Sequence, residues 1–334
     1  MKYLKIILFN LTVLFILILI VEKSIPYFTD IDIGSRRYLI IQEYQPNSKL
    51  GYMFNDTIYN KTIDENGFTI DPDHFSDTYS KTIFFLGSSN VETLYIEEGK
   101  RLADLTAQKI NLFSEHKFNA FNIGKSGLNS SHVLINLISN VIPRKPDYIF
   151  LMPSNDFTYL TNYGSFSNGP KKHFTELNFY NTLKNLKDLF IPNLYILLKS
   201  SFEFQVPDFA VDNDLKINSF DNLKDTDLKE FENYFRSIIR LCSIFDIELI
   251  VGTQFYNLEA LETDGVVKAN FINKKINSLV KKISEEESSI LLNLDSLVPK
   301  NYKYMYDGGH LNNLGVDLVS DLISEEILKI EQND

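Results

Sequence analysis

Lys81-Thr82-Ile83-Phe84-Phe85-Leu86-Gly87-Ser88-Ser89 is the stretch of sequence that decides the fold. Its apolar run ends at a glycine, as is typical of a strand buried on both faces of a sheet. Such a strand needs helices on either side, so the stretch predicts an α/β protein with a parallel sheet. The polar residues that follow, beginning with Ser88 and Ser89, then lie at the edge of that sheet.

The alternation of short apolar runs and amphipathic stretches continues to the C-terminus. Strands that alternate with helices build right-handed βαβ units, which predicts a parallel sheet with helices on both faces. In such a sheet the functional site lies outside the carboxyl ends of the strands. The predicted strands cover 82–86, 118–124, 147–152, 247–252 and 290–294, and the predicted helices cover 97–110, 132–141, 228–245, 269–283 and 311–330.

The first 23 residues predict a membrane segment. Lys2 and Lys5 precede an almost wholly apolar run, from Ile6 to Val21, which with its flanks is long enough to cross a bilayer. No small-residue cleavage pattern follows, which favours an uncleaved single-pass anchor over a cleaved signal peptide. The two lysines favour an N-terminus inside the cell and the rest of the chain outside it, although two arginines downstream weaken that bias.

Residues 24–80 are polar, aromatic and rich in turns. We expect them to form a juxtamembrane extension that packs on the domain behind it. The fragments 37–41 and 68–70 are short strand candidates, and Asn66-Gly67 is a dipeptide typical of hairpin turns.

The α/β domain is expected to cover 81–334. Between 157 and 225 the alternation of strands and helices lapses, which predicts an insertion. An apolar stretch at 184–198 leaves two interpretations open. The insertion packs on the sheet, or it forms a lid or membrane-facing surface around the substrate.

Composition limits the partners and the covalent chemistry. The formal net charge of −11 argues against a nucleic-acid partner, because a phosphate backbone would be repelled. The single cysteine, Cys242, excludes a disulfide within the chain and a cysteine-based zinc site. It lies in an apolar run, and Arg240 would not face it on a helix, so we expect a buried thiol without a catalytic role.

Polar residues at predicted strand ends suggest acyl transfer. A serine hydroxyl needs an imidazole to take its proton, and the imidazole needs an acceptor that fixes its tautomer. Ser89 ends the first strand, and Asp307 and His310 lie three residues apart in a Gly-Gly loop before the last helix. The N–H groups of Ser89 and Gly127 and the side-chain amide of Asn155 are suitable donors for an oxyanion.

Simpler interpretations exist for each piece. Gly127 could serve a turn, and Asn155 could cap a helix. The D-x-x-H spacing also occurs at Asp71-Pro72-Asp73-His74, in a turn-forming cluster that we interpret as a solvated loop. A metal site formed by this cluster together with Asp77 is a weaker alternative. The remaining histidines are expected at the surface or at helix caps: His116, His132 and His173.

In this order, the segments resemble the sequence blocks of the SGNH/GDSL hydrolase superfamily, in particular its membrane-anchored bacterial members. Ser89 matches the block I serine, Gly127 the block II glycine and Asn155 the block III asparagine, and Asp307 with His310 matches the block V D-x-x-H. The resemblance covers 81–330.

The sequence departs from the usual blocks at two places. Ser88 stands where GDSL enzymes usually have Asp, and Pro153-Ser154 stand where block III often has glycine. The absence of a G-x-S-x-G elbow makes an ordinary α/β-hydrolase a poorer match.

The resemblance implies a flavodoxin-like three-layer α/β/α sandwich with a five-stranded parallel sheet. It implies a serine esterase or O-acyltransferase that needs no metal or organic cofactor. Together with the membrane anchor, it suggests acylated carbohydrate or lipid of the cell envelope as substrate, with polysaccharide-modification proteins as possible partners. Two alternatives stay open: a catalytically inactive envelope scaffold of the same fold, and a lipid-directed esterase that uses 184–198 as a lid.

Overall fold

The computed structural model describes residues 2–28, 48–54, 57–76, 78–166, 190–191, 193–194, 197–198, 227–260 and 264–333. Within these residues the strands form one sheet in the order β1-β2-β3-β5-β4-β6-β7-β8. The strands are β1 (Ser48–Phe54), β2 (Thr57–Ile63), β3 (Thr69–Ile70), β4 (Lys81–Gly87), β5 (Phe118–Asn122), β6 (Tyr148–Met152), β7 (Glu248–Gly252) and β8 (Ile290–Leu292).

Helices follow the strands and cover both faces of the sheet. They are α1 (Lys2–Phe28), α2 (Ser89–Glu92), α3 (Leu102–Asn111), α4 (Ser130–Asn136), α5 (Asp156–Tyr163), α6 (Lys229–Ile244), α7 (Asp264–Glu286), α8 (Leu294–Leu297) and α9 (Asn313–Glu331). Helix α4 continues into a π-helical turn, Leu137–Val141, and a 3₁₀ turn, Ile142–Arg144, and a second 3₁₀ turn covers Leu258–Ala260.

The central five strands confirm the predicted fold. Strands β5, β4, β6, β7 and β8 are mutually parallel. Counted along the chain from β4, their spatial order is 2-1-3-4-5, which is the flavodoxin-like order. The order reverses between β4 and β6, and a ligand site is expected at that switch point.

Side chains alternate along the central strands between two apolar layers. One face packs against α4, α6 and α7, and the other packs against α3 and α9, which makes a three-layer sandwich. Residues that join the layers include Phe84, Leu86, Val133, Phe235 and Ile272 on the first face and Ile83, Phe85, Leu102, Val319 and Ile323 on the second. Cys242 is buried in the first layer, as predicted, and burial raises the pKa of its thiol to about 12.

Caps and turns move several helix ends away from their predicted positions. The helix predicted at 97–110 begins only at Leu102, because the preceding residues form turns that include Gly99 at φ 80°. Helix α4 begins at Ser130, two residues early, because the Asn129 side chain accepts hydrogen bonds from the first-turn N–H groups. Asn312 caps the last helix in the same way.

The described part of the extension adds antiparallel strands to one edge of the sheet. Strands β1 and β2 form a seven-pair hairpin that the sequence did not predict, and β3 joins β2 to β5. Asn66-Gly67 lies in the turn between β2 and β3, with Gly67 at φ 85°, so this predicted turn is confirmed. The predicted strand at 37–41 and most of the 157–225 insertion lie outside the described residues.

Helix α1 is the only helix, among the described residues, that is long and apolar enough to cross a membrane. Its apolar stretch runs from Tyr3 to Ile25 and is exposed along most of its length. A signal sequence would meet the same criteria of length and composition.

Candidate active site

The ends of β4, β5 and β6 bring the predicted site segments to one edge of the sheet. Gly87, at the end of β4, pairs with Met152, at the end of β6. Ser89 and Asn155 therefore follow neighbouring parallel strands, at the point where the strand order reverses. The loop after β5, which includes Gly127, enters the same edge because Lys125 N donates to Gly87 O at 3.2 Å.

The turn from β4 into α2 presents Ser89 at the start of a short helix. An added Cβ at Gly87 would come within 2.5 Å of Val91 Cγ2 and 2.8 Å of Met152 O, so only glycine fits this crossing. Ser88 occupies the N-cap position, and Ser89 is the first helical residue. N–H groups in the first turn of a helix have no partner within the helix, which leaves that of Ser89 available as a donor.

Three predicted residues form a hydrogen-bonded chain. His310 Nε2 lies 2.8 Å from Ser89 Oγ, and His310 Nδ1 lies 2.7 Å from Asp307 Oδ2. The serine and histidine are 221 positions apart in sequence. This is the arrangement of a nucleophile, a base and the acceptor that orients the base.

The loop that carries the Asp–His pair is held by its own backbone. Asp307 Oδ1 accepts from Gly309 N at 2.8 Å and from His310 N at 2.7 Å, so one carboxylate oxygen fixes the turn while the other faces the imidazole. Tyr306 N donates to His310 O at 3.1 Å. The Tyr306 ring stacks on the imidazole, with centroids 5.6 Å apart and planes inclined by 9°.

Electrostatics keep the carboxylate charged. Burial by itself would raise the pKa of Asp307, but the attraction and hydrogen bond of His310, together with the two backbone N–H donors, lower this pKa overall. The neighbouring Tyr256 is buried, and burial and then the charge of Asp307 raise the pKa of its hydroxyl. Asp307 is therefore an anion that can stabilise an imidazolium.

Gly127 lies in a tight turn beside Ser88 and Ser89. Leu128 N donates to Lys125 O at 3.1 Å, and Gly127 adopts φ 86°, which suits the third residue of a type II turn. Its N–H donates to Ser88 Oγ at 3.2 Å. Ser88 Oγ is therefore the acceptor of the Gly127 N–H.

Asn155 occupies the N-cap position of α5, but its side chain makes no capping hydrogen bond. Its amide also has no hydrogen bond to any other described residue. The simpler interpretation of Asn155 as a helix cap therefore lacks its characteristic contact. The amide follows β6, the strand that pairs with β4. The next residue, Asp156, accepts from Ser130 N at 2.8 Å, which fixes the loop.

The second D-x-x-H forms a pair elsewhere. His74 Nδ1 lies 2.5 Å from Asp71 Oδ2, and Gln108 Nε2 donates to the same oxygen at 3.1 Å. The His74 side chain is 58% exposed, as the loop interpretation predicted, but that of Asp71 is only 7% exposed, so only half of the pair is solvated. Ser89 is hydrogen-bonded to His310 instead.

No cluster of three metal-binding side chains occurs among the residues that the structure describes, and Asp77 lies outside them. His132 belongs to the capping box of α4 and is half-buried, and this partial burial lowers the pKa of its imidazole to about 4. His116 is exposed, and His173 lies outside the described residues.

Sequence reasoning missed the residues that support the site. Asn257 donates from its side chain to Asp307 O at 3.3 Å and from its backbone to Gly308 O at 3.0 Å. Glu92, one helical turn after Ser89, accepts from Ser126 beside Gly127. The only sequence signal for Glu92 was its position three residues after Ser89, because positions i and i+3 lie on the same face of a helix.

No model of a protein family matches the chain, and no curated protein matches it. Among solved structures, the chain is similar to a lipase/acylhydrolase from Enterococcus faecalis, with 14% identity and a TM-score of 0.47 over 74% of this chain and 95% of that one. An acetylxylan esterase from Geobacillus stearothermophilus shares 15% identity with a TM-score of 0.47 over 76% of this chain and 96% of that one.

Proposed function

We propose that this protein is an SGNH-type serine esterase that works through an acyl-enzyme on Ser89. The observation that carries the proposal is the chain of hydrogen bonds from Ser89 through His310 to Asp307, at 2.8 and 2.7 Å. Three residues from distant segments meet in the order that activates a serine. The exposed fraction of the His310 side chain, 26%, leaves the imidazole accessible to a substrate.

In the first half-reaction, Ser89 Oγ attacks the ester carbonyl carbon while its proton passes to His310 Nε2. The tetrahedral intermediate collapses, the ester C–O bond breaks, and the imidazolium returns the proton to the departing alkoxide. Asp307 stabilises the imidazolium and keeps Nδ1 protonated throughout. The oxyanion is bound by the Ser89 N–H, by the Asn155 amide and by the Gly127 N–H, which gives up its hydrogen bond to Ser88 Oγ.

In the second half-reaction, an acceptor oxygen attacks the acyl-Ser89 ester, and His310 takes the acceptor's proton. The bond between the acyl carbon and Ser89 Oγ then breaks, and the imidazolium returns the proton to Ser89 Oγ. Water gives a free carboxylic acid, whereas a sugar hydroxyl gives a new ester. Both outcomes use the same residues, so the proposal covers a hydrolase and an O-acyltransferase alike. We propose an acyl group on cell-envelope carbohydrate or glycolipid as the substrate, because the catalytic domain follows an apolar N-terminal helix.

We further propose that α1 is retained as an anchor with the catalytic domain outside the cell. Glu22, near its C-terminal end, is 3% exposed, and its carboxylate accepts from Asn193 N at 2.8 Å and Leu194 N at 2.7 Å. Phe15 contacts Phe190 edge to face, with centroids 5.5 Å apart. Cleavage of a signal peptide would remove these contacts.

The contact between Phe15 and Phe190 also favours a second candidate, a lipid-directed esterase, because it places part of the insertion beside the membrane helix. The chain has no tryptophan, so Phe190→Trp creates a single reporter in vesicles of brominated phospholipid. Its fluorescence should be quenched, whereas that of Phe113→Trp, at a 77% exposed position after α3, should not. Equal quenching at the two positions would contradict a membrane location for Phe190.

A fluorophosphonate probe tests the proposed nucleophile. The wild-type protein should be labelled, and Ser89→Ala should not be labelled and should lose about 10⁴- to 10⁶-fold in kcat toward an acetyl ester. The matched control is Ser139→Ala, since Ser139 is an exposed serine whose hydroxyl only returns a hydrogen bond to Ile135 O. An unlabelled wild-type protein with no esterase activity would favour the inactive scaffold.

A further inference from the structure

A lysine of the N-terminal hairpin reaches the nucleophile helix. Lys61 of β2 donates from Nζ to Glu92 Oε1 at 3.0 Å, and the two side chains are 4% and 6% exposed. Because desolvation offsets much of the attraction in a buried ion pair, such a pair is weak evidence of a stabilising role. The position of the Lys61–Glu92 pair next to Ser89 therefore suggests a role in catalysis rather than in folding stability.

Glu92 connects this lysine to the turn that carries Gly127. It is the last residue of α2, whose first residue is Ser89. While Oε1 faces Lys61, Oε2 accepts from Ser126 N at 2.7 Å and from Ser126 Oγ at 2.6 Å. One buried carboxylate thus links the hairpin, the nucleophile helix and the residue before Gly127.

The peptide between Ser126 and Gly127 is held at both ends. Glu92 fixes Ser126 through two hydrogen bonds, and Ser88 Oγ accepts from Gly127 N. The direction of the Gly127 N–H is therefore set by residues on either side of the nucleophile. In the proposed reaction the Gly127 N–H exchanges Ser88 Oγ for the oxyanion, and a donor whose peptide is already held in place stabilises the oxyanion with little reorganisation.

We infer that Lys61 is a positioning residue of the acyl-transfer site, acting through Glu92 and Ser126 on the Gly127 N–H. The N-terminal hairpin then contributes to catalysis through Lys61, in addition to connecting the apolar helix to the α/β domain. This inference rests on the proposed function.

A second cation, Lys125, lies close enough to Glu92 for their charges to interact. Burial, and then repulsion from Lys61, lowers the pKa of Lys125 to about 7, although Glu92 opposes that shift. Lys125 therefore carries only part of its positive charge near neutral pH. Lys61 donates directly to the carboxylate oxygen that Ser126 does not use.

Other contacts fasten the hairpin to the same region without touching the Gly127 turn. Thr62 N donates to Glu98 Oε1 at 2.6 Å, and Phe54 stacks on Tyr95 with centroids 4.4 Å apart. The Thr62–Glu98 contact offers a matched control. It holds the same strand one residue further along the chain, but it leaves Glu92 and Ser126 in place.

The test compares full-length Lys61→Met, Lys61→Arg, Glu92→Gln and Glu98→Gln in detergent micelles. Turnover of p-nitrophenyl acetate is expressed per active site, counted by end-point fluorophosphonate labelling, so that unfolded protein does not contribute. Lys61→Met should lower kcat by about 10- to 100-fold, with KM within about threefold of wild type, as expected for a misdirected transition-state donor. Lys61→Arg should recover most of the loss, and Glu98→Gln should keep wild-type kcat.

Glu92→Gln, of the same shape as the native side chain, keeps the test decisive if Lys61→Met does not fold. Its single oxygen cannot serve both Lys61 and Ser126, so kcat per active site should fall by about tenfold or more. Affinity for an alkyl boronic acid, whose adduct with Ser89 places an oxygen at the oxyanion position, should fall by a similar factor in both variants.

Two failures are distinguishable. Wild-type kcat and boronate affinity in both Lys61→Met and Glu92→Gln, with Ser89→Ala inactive, would overturn this inference and leave the esterase proposal intact. Equal losses in Glu98→Gln and Lys61→Met would also overturn it, because the effect would then belong to the hairpin as a whole. Full turnover by Ser89→Ala would overturn the proposed function itself.

Discussion

Asp307→Asn is the substitution for which the geometry of the site makes the sharpest prediction. In the native site, Asp307 Oδ1 accepts from the N–H groups of Gly309 and His310, and Oδ2 faces His310 Nδ1. Asparagine has one oxygen and one NH₂ group. The oxygen must face the two backbone donors, because an NH₂ group placed there would leave three donors facing one another.

The NH₂ group of the substituted residue then donates to His310 Nδ1. That nitrogen must become the acceptor, so the proton of the neutral imidazole moves to Nε2. His310 would donate to Ser89 Oγ instead of accepting its proton, and the serine would have no base. A reversed tautomer of this kind costs about 10⁴-fold in kcat, which is about 5 kcal/mol of transition-state stabilisation.

The assay is turnover of p-nitrophenyl acetate per folded molecule, with a thermal melt as a check on folding. KM should change little, because the substitution alters the base and not the binding surface. Asp295→Asn is the matched control, since Asp295 of α8 pairs with Lys300 at 2.7 Å and both side chains are half-buried. Neither side chain of this pair is hydrogen-bonded to the proposed triad, so its loss should leave kcat per folded molecule unchanged.

A folded Asp307→Asn enzyme with kcat within tenfold of wild type would refute the reasoning. Either His310 would not be the base, or the amide would have turned the other way despite the two N–H donors. Proton NMR of the imidazole nitrogens in the variant separates these cases. The proton stays on His310 Nδ1 only if the amide has turned its oxygen toward that nitrogen.

Three further predictions follow from the same residues. Asn155→Ala should lower kcat by about 10²- to 10³-fold with little change in KM, and unchanged turnover would remove Asn155 from the oxyanion hole. His74→Ala should leave kcat within about twofold of wild type, and a large loss would mean that the other D-x-x-H supplies the base. Burial raises the pKa of Asp156 to about 6, so the native state holds a proton that the unfolded state releases near pH 4, and stability falls as pH rises between these values. Asp156→Asn should therefore raise the free energy of unfolding at pH 7 by up to about 3 kcal/mol but not at pH 4, and equal urea midpoint shifts at both pH values would contradict this.

Much of the fold follows from local sequence. The central strands are continuous apolar runs because both of their faces are covered, and a run such as Thr82 to Leu86 carries that information without reference to any other segment. Helix ends were less predictable, because single side chains decide them. Asn129 and Asn312 set two helix starts through hydrogen bonds that hydrophobic periodicity does not reveal.

The β1–β2 hairpin was not predicted because its residues alternate weakly and its pairing depends on the whole sheet edge. Glu92 and Lys61 were missed for a related reason. Their contact joins positions 31 residues apart, and neither residue belongs to a recognisable motif. Buried pairs of this kind become visible only when the chain path is known.

The sequence by itself determined the α/β fold, the apolar N-terminal segment and the candidate residues, because these depend on composition and short spacing. It also contained two D-x-x-H segments, and both form a local pair, at 2.5 Å for His74 and 2.7 Å for His310. Three-residue spacing in a turn suffices for such a pair. Only the tertiary structure decided which imidazole reaches Ser89. That contact joins residues 221 positions apart, and it forms because the parallel sheet brings their two segments to the same edge.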